Sequence, residues 1–116
     1  GASDIFLMPS RFEPCGLSQM IAMRYGSLPI VSRVGGLRDT VIPYGQGSNE
    51  PTGFFINMLD AGGLAEAIEQ ALSVYSQQNV WQQLMTTAML KNFSWENSSK
   101  QYLKIFADLI KRGPKW

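Results

Sequence analysis

The sequence predicts an α/β domain, a small parallel sheet packed by helices. Short apolar runs alternate with amphipathic segments over the first half, and helical spacing alone fills the second. Hydrophobic residues make up 45% of the 116 positions and charged residues 16%, enough to bury one small core and too apolar for a disordered segment.

The elements follow in order. Ile5 to Pro9 is an apolar run bounded by polar residues, as a buried parallel strand is. Leu17, Met20, Ile21 and Met23 then fall on a helix that ends near Gly26, a C-cap. Pro29-Ile30-Val31 begins a second strand, where a proline at the start is tolerated. Gly35-Gly36 makes a turn, and Leu37 to Val41 reads as one short helical turn. Pro43 to Pro51 is a polar, glycine-containing loop, and Gly53-Phe54-Phe55-Ile56 is a third strand. Leu64, Ile68, Ala71, Leu72 and Tyr75 keep helical spacing behind Asp60 as N-cap. Trp81, Leu84, Met85, Ala88 and Met89 form a second stripe. Tyr102, Ile105, Phe106, Leu109 and Ile110, widened by Leu103, form a third after a Ser94 cap. Trp95 reads as a packing anchor or an N-terminal staple.

Composition excludes several chemistries. There is no His, which rules out Ser-His-Asp and Cys-His catalysis and His-ligated metals within this chain. Cys15 stands alone, so no internal disulfide or zinc cluster forms, and a reducing compartment fits. No metal-ligand spacing appears, and no metal or cofactor is expected. Ten basic against nine acidic residues leave a formal charge of +1, no electrostatic case for nucleic acid or an anionic membrane. No apolar run approaches the roughly 18 residues of a spanning helix. The chain opens almost directly on a strand after Gly1-Ala2-Ser3-Asp4, and is expected to be a piece of a longer protein.

The chemistry is expected at Ser10-Arg11-Phe12-Glu13-Pro14-Cys15-Gly16-Leu17-Ser18-Gln19, which joins the first strand to the first helix. Open α/β sheets bind ligands at the carboxyl ends of their strands. Backbone donors at a helix start favour an anion such as phosphate. Glu13 can accept hydrogen bonds from sugar hydroxyls and favour positive charge developing at a sugar carbon; a solvated loop carboxylate is the plainer reading of that residue type. Gly16 removes a side chain where a diphosphate would approach. The N–H groups of Cys15 and Leu17 and the Ser18 hydroxyl are candidate phosphate donors. Cys15 by itself reads as a small buried thiol. The double glycine Gly35-Gly36 reads by itself as a tight turn. Arg33 and Arg38 read equally as anion contacts or as surface charges.

The Ser10–Gln19 run resembles the donor-sugar loop of bacterial glycogen synthases and plant starch synthases. The resemblance continues through Arg24-Tyr25-Gly26-Ser27-Leu28-Pro29-Ile30-Val31, Gly35-Gly36-Leu37-Arg38-Asp39-Thr40-Val41 and Phe93-Ser94-Trp95-Glu96. It implies the latter part of the C-terminal, Rossmann-like domain of a two-domain GT-B glycosyltransferase, spanning residues 1–116. It implies transfer of glucose from ADP-glucose to the nonreducing end of an α-1,4-glucan, with retention of configuration. Glu13 would contact the donor glucose and be required for activity. Cys15, Gly16, Leu17 and Ser18 would bind donor phosphate, and Gly35 and Gly36 would line the donor pocket. Gln19 fits this subgroup. Related glycosyltransferases carry a second Glu where this chain has Ile21, which removes one ribose contact.

The resemblance also implies an N-terminal domain and an upstream Arg and Lys, none of them in this chain. The final helix, residues 95–112, would cross to that domain. The piece alone would then be inactive. The parent would be cytoplasmic, or plastid in a plant. Two alternatives stay open: a related transferase using a UDP-sugar, and a nonenzymatic nucleotide-sugar-binding module.

Overall fold

A computed structural model of the chain describes residues 2–113, so the two ends of the expected 1–116 domain, residue 1 and residues 114–116, lie outside it. Three strands form one parallel sheet in chain order: β1 (Ile5–Met8), β2 (Leu28–Ser32) and β3 (Phe54–Ile56). Ile5 pairs with Leu28 and Met8 with Val31; Ile30 pairs with Phe54 and Ser32 with Ile56. The helices are α1 (Ser18–Arg24), α2 (Gly35–Thr40), α3 (Ala61–Tyr75), α4 (Gln78–Leu90) and α5 (Trp95–Arg112). This is the expected α/β class, with the expected order of elements.

Burial follows sheet position. Every residue of central β2 is buried, and so is every residue of β3. Strand β1 lies at the edge and is only half covered, with Leu7 48% exposed. Its continuous apolar run predicts more burial than its single neighbour supplies. Pro29 sits inside β2, not at its start. The Leu28 N–H points toward β1, donating to the Asp4 carbonyl at 2.9 Å. Backbone donors alternate along a strand, so position 29 faces the β3 side. The β2–β3 ladder begins only at Ile30, so proline's missing N–H removes no ladder bond.

Helices α1, α3 and α4 pack on the sheet and on one another. Phe54 of β3 stacks against Trp81 of α4, with centroids 6.3 Å apart, and Tyr75 of α3 meets Trp81 edge-on at 5.0 Å. Asp60 caps α3 as expected, its Oδ1 accepting from the Gly63 N–H at 2.8 Å. The buried line of α3 is Gly63, Ala67, Ala71 and Val74, while Leu72 is 53% exposed. Small side chains bring this helix close, and a Cβ on Gly63 would fall on the Met58 carbonyl oxygen. The larger apolar residues flank that contact instead of making it. The double glycine opens helix α2 rather than forming a separate turn before it. Of the Leu17, Met20, Ile21 and Met23 stripe, only Met23 is fully buried.

Ser94 caps α5 by accepting from the Asn97 N–H at 3.4 Å. No residue of α5 is buried, and Trp95 is 83% exposed, so it anchors nothing among the described residues.

Candidate functional site

Strands β1 and β2 are parallel neighbours, so the segments that follow them emerge at the same edge of the sheet. One segment carries Glu13 to Leu17, the other Gly35 and Gly36. They touch directly: the Gly36 N–H donates to the Glu13 carbonyl at 3.2 Å. The approach leaves no room for side chains. A Cβ on Gly35 would fall on the Glu13 carbonyl oxygen, and one on Gly36 would fall on the Cys15 carbonyl oxygen. Gly35 also holds φ at +42°, a backbone region that favours glycine. The double glycine is therefore more than a turn, because it lets one loop seat on the other.

Glu13 is half-buried in this seat, and its carboxylate has no hydrogen bond or ion pair among the described residues. Cys15, Leu17 and Ser18 are exposed, and Gly16 is half-buried with φ at +73°. The exposed Cys15 departs from the buried-thiol reading, because its segment runs over the end of the sheet and not into the core. Among the described residues no side chain caps the start of α1. Its first backbone donors therefore face the same edge without an internal side-chain acceptor. The structure thus brings all seven candidate residues (Glu13, Cys15, Gly16, Leu17, Ser18, Gly35 and Gly36) to one place. The arrangement offers an unpaired carboxylate next to backbone donors, which suits a ligand carrying both hydroxyl and anionic groups.

The nearby cations are less committed. Arg33 lies 5.7 Å from the centre of the Phe55 ring. Arg38 pairs with Asp39 at 3.6 Å, an exposed contact of small energetic weight. An apolar groove of ≈ 560 Å³ runs along α1 and the end of α4 past Ile21, Arg24, Leu90 and Phe93. It borders the candidate loop only at Leu17 and is not the seat of Glu13. Among the described residues no three His, Cys, Asp or Glu side chains gather to hold a metal ion.

Two polar groups were not among the expected site residues. Gln19 is fully buried, and its Nε2 lies 3.1 Å from the Cys15 carbonyl, 2.9 Å from the Gly16 carbonyl and 3.0 Å from Thr40 Oγ1. Thr40 in turn donates to the Gly36 carbonyl at 2.7 Å. The signal in the sequence is an amide four residues before Met23, on the inward line of a short helix.

Known proteins share this arrangement of elements. The model of the family "Glycosyl transferases group 1" matches residues 1–85. The chain is 51% identical over 110 residues to a glycogen synthase from Streptococcus sanguinis strain SK36, covering 94% of this chain and 23% of that protein. It is 48% identical over 111 residues to a glycogen synthase from Bacillus subtilis strain 168, covering 96% and 23%. Among solved structures it superposes on the catalytic domain of starch synthase IV from Arabidopsis thaliana, bound to ADP and acarbose, with TM-score 0.83 and 40% identity. That match covers 92% of this chain and 22% of the other. It also superposes on a sucrose-phosphate synthase from Thermosynechococcus elongatus, with TM-score 0.63 and 31% identity, covering 95% and 26%. The chain thus spans just under a quarter of the length of the curated relatives described here.

Proposed function

The chain belongs to the glycosyl transferases group 1 family, and from that we propose that it is the part of a retaining glucosyltransferase that receives the sugar and phosphates of ADP-glucose. The acceptor is the nonreducing end of an α-1,4-glucan. The observation that carries this reading is the seating of the Glu13–Ser18 loop on Gly35-Gly36 at the carboxyl ends of β1 and β2. The relatives named glycogen synthase supply the reaction class. The solved relative bound to ADP and acarbose supports an adenine nucleotide and a glucan-like ligand.

In this reading the Glu13 carboxylate accepts hydrogen bonds from hydroxyls of the donor glucose. Its fixed negative charge stabilises the positive charge that develops at the sugar carbon as the glycosidic bond to phosphate breaks. Cys15, Gly16, Leu17 and Ser18 supply backbone N–H groups and a hydroxyl to the diphosphate, whose charge grows as it leaves. Gly35 and Gly36 keep that pocket free of side chains. The rest of the protein supplies the further cations and the acceptor-binding domain. Residues 95–112 cross to that domain, and without that domain and those cations the piece alone transfers no sugar. In this reading the parent is cytoplasmic, or plastid in a plant, as a partner of glycogen or starch synthesis.

The decisive experiment is glucan extension by the full-length protein, with ADP-glucose and UDP-glucose side by side, for the parent and Glu13→Gln. The amide keeps the shape and removes the charge. A loss on the order of 10²–10³ in kcat is expected, the size seen when one transition-state electrostatic contact is removed. Near-normal turnover by Glu13→Gln overturns the assignment of Glu13. Preference for UDP-glucose favours the related UDP-sugar transferase, and binding without turnover by the parent favours a nonenzymatic module.

A further inference from the structure

We infer that Gln19, acting with Thr40, is a positioning residue that aims the backbone donors of the Gly16–Leu17 segment outward and locks the two loops of the site together; the inference rests on the donor-site reading above. Gln19 is an amide buried to 0% exposure beneath an exposed loop. Its Nε2 has two protons and three acceptors: the carbonyls of Cys15 and Gly16 and the Thr40 hydroxyl. Turning the amide over would set its oxygen against two carbonyl oxygens, so the network fixes which end is nitrogen. Thr40 spends its own proton on the Gly36 carbonyl, so its oxygen is left to accept from Gln19. The Gly36 N–H closes the ring on Glu13.

The consequence lies in peptide geometry. In a planar trans peptide the C=O and the following N–H point in opposite directions. No cis peptide occurs among the described residues. With the Cys15 and Gly16 carbonyls drawn inward to Gln19, the N–H groups of Gly16 and Leu17 are turned away from the buried amide. Gln19 Oε1 has no partner among the described residues, so the amide is held there by its donor end. A buried acceptor without a partner is a cost to folding. Such a cost fits a residue placed for the loop and not for core packing. A hydrocarbon of the same size would fill the space and leave both carbonyls unheld.

The test uses the full-length protein and the variants Gln19→Leu, Thr40→Val and Thr40→Ser. Two readouts are taken: hydrogen exchange at Gly36 and Leu37, whose N–H groups are bonded, and KM for ADP-glucose against KM for glucan. Gln19→Leu is expected to raise the donor KM about tenfold, the loss of roughly one net hydrogen bond's ordering, and to leave the glucan KM within about twofold. Exchange of the Gly36 N–H, which the Glu13 carbonyl holds across the two loops, should quicken, and β2 should stay unchanged. Thr40→Val should move the same way by a smaller factor, and Thr40→Ser, which keeps the hydroxyl, should match the parent. A merely structural role would lower the thermal midpoint without separating the two KM values. Folded Gln19→Leu with parental exchange and parental donor KM overturns the inference. Where Gln19→Leu does not accumulate, Thr40→Val decides by the same readouts. A parent that transfers no sugar would defeat the donor-site reading; the exchange result would then stand or fall by itself for the tie between the loops.

Discussion

Glu13 owes its position to two glycines that never meet its side chain. Gly35 and Gly36 lie against the backbone of Glu13 and Cys15, and a methyl group on either would overlap a carbonyl oxygen that is itself hydrogen-bonded, that of Glu13 to the Gly36 N–H and that of Cys15 to Gln19. Gly35→Ala is therefore expected to cost about 1–3 kcal/mol for its φ of +42° alone, with the overlap in addition. It should also abolish transfer in the full-length protein, since the Glu13 segment must move. Gly47 provides the contrast. Its φ is +79°, and a Cβ there meets nothing within 4 Å. Gly47→Ala should cost only about 1–2 kcal/mol and leave activity intact. Denaturant midpoints of the two variants, read beside their specific activities, check both. Equal behaviour would mean that the interlock of the loops contributes nothing.

At the scale of elements, α3 shows how packing chooses among faces that a sequence offers. Ala67 and Ala71 line its buried side, and Leu72 is left 53% exposed. Ala71→Leu should overpack that seam and destabilise the chain by about 1–3 kcal/mol. Leu72→Ala should fall within about 0.5 kcal/mol of the parent. A larger effect at Leu72 than at Ala71 would put the seam on the wrong face. The N-terminus of α3 rests on the Asp60 cap, whose Oδ1 accepts from the Gly63 N–H. Asp60→Ala should cost about 1 kcal/mol, measurable as a shift in the urea midpoint at unchanged slope.

For the molecule as a whole, α5 is the element left without cover. Tyr102, Ile105, Phe106, Leu109 and Ile110 share one face, and each is more than half exposed. A contiguous apolar face of this kind marks a contact surface. In the proposed full-length protein it is covered by the N-terminal domain. The 116-residue chain by itself should then self-associate as concentration rises, while full-length protein protects Tyr102–Ile110 from hydrogen exchange at every concentration. A monomeric 116-residue chain with slow, concentration-independent exchange across this stretch would defeat the proposal. Measurable glucan extension by the 116-residue chain would do the same for its expected inactivity.

Sequence alone determined the order of strands and helices, because apolar runs, helical spacing and the Asp60 and Ser94 caps are local signals between near neighbours. It also marked the Glu13–Ser18 loop, since the strand, the loop and the helix that make it are continuous in the chain. Only the tertiary structure decided that Gly35-Gly36 seats on that loop and that Gln19 reaches Thr40. Those partners are 20 or so residues apart, and their meeting depends on β1 and β2 lying side by side. Tertiary structure likewise left β1 half covered and α5 bare, although both carry apolar faces as plain as any in the chain. An apolar pattern states that a face must be covered; what covers it is set by the elements that the fold brings alongside.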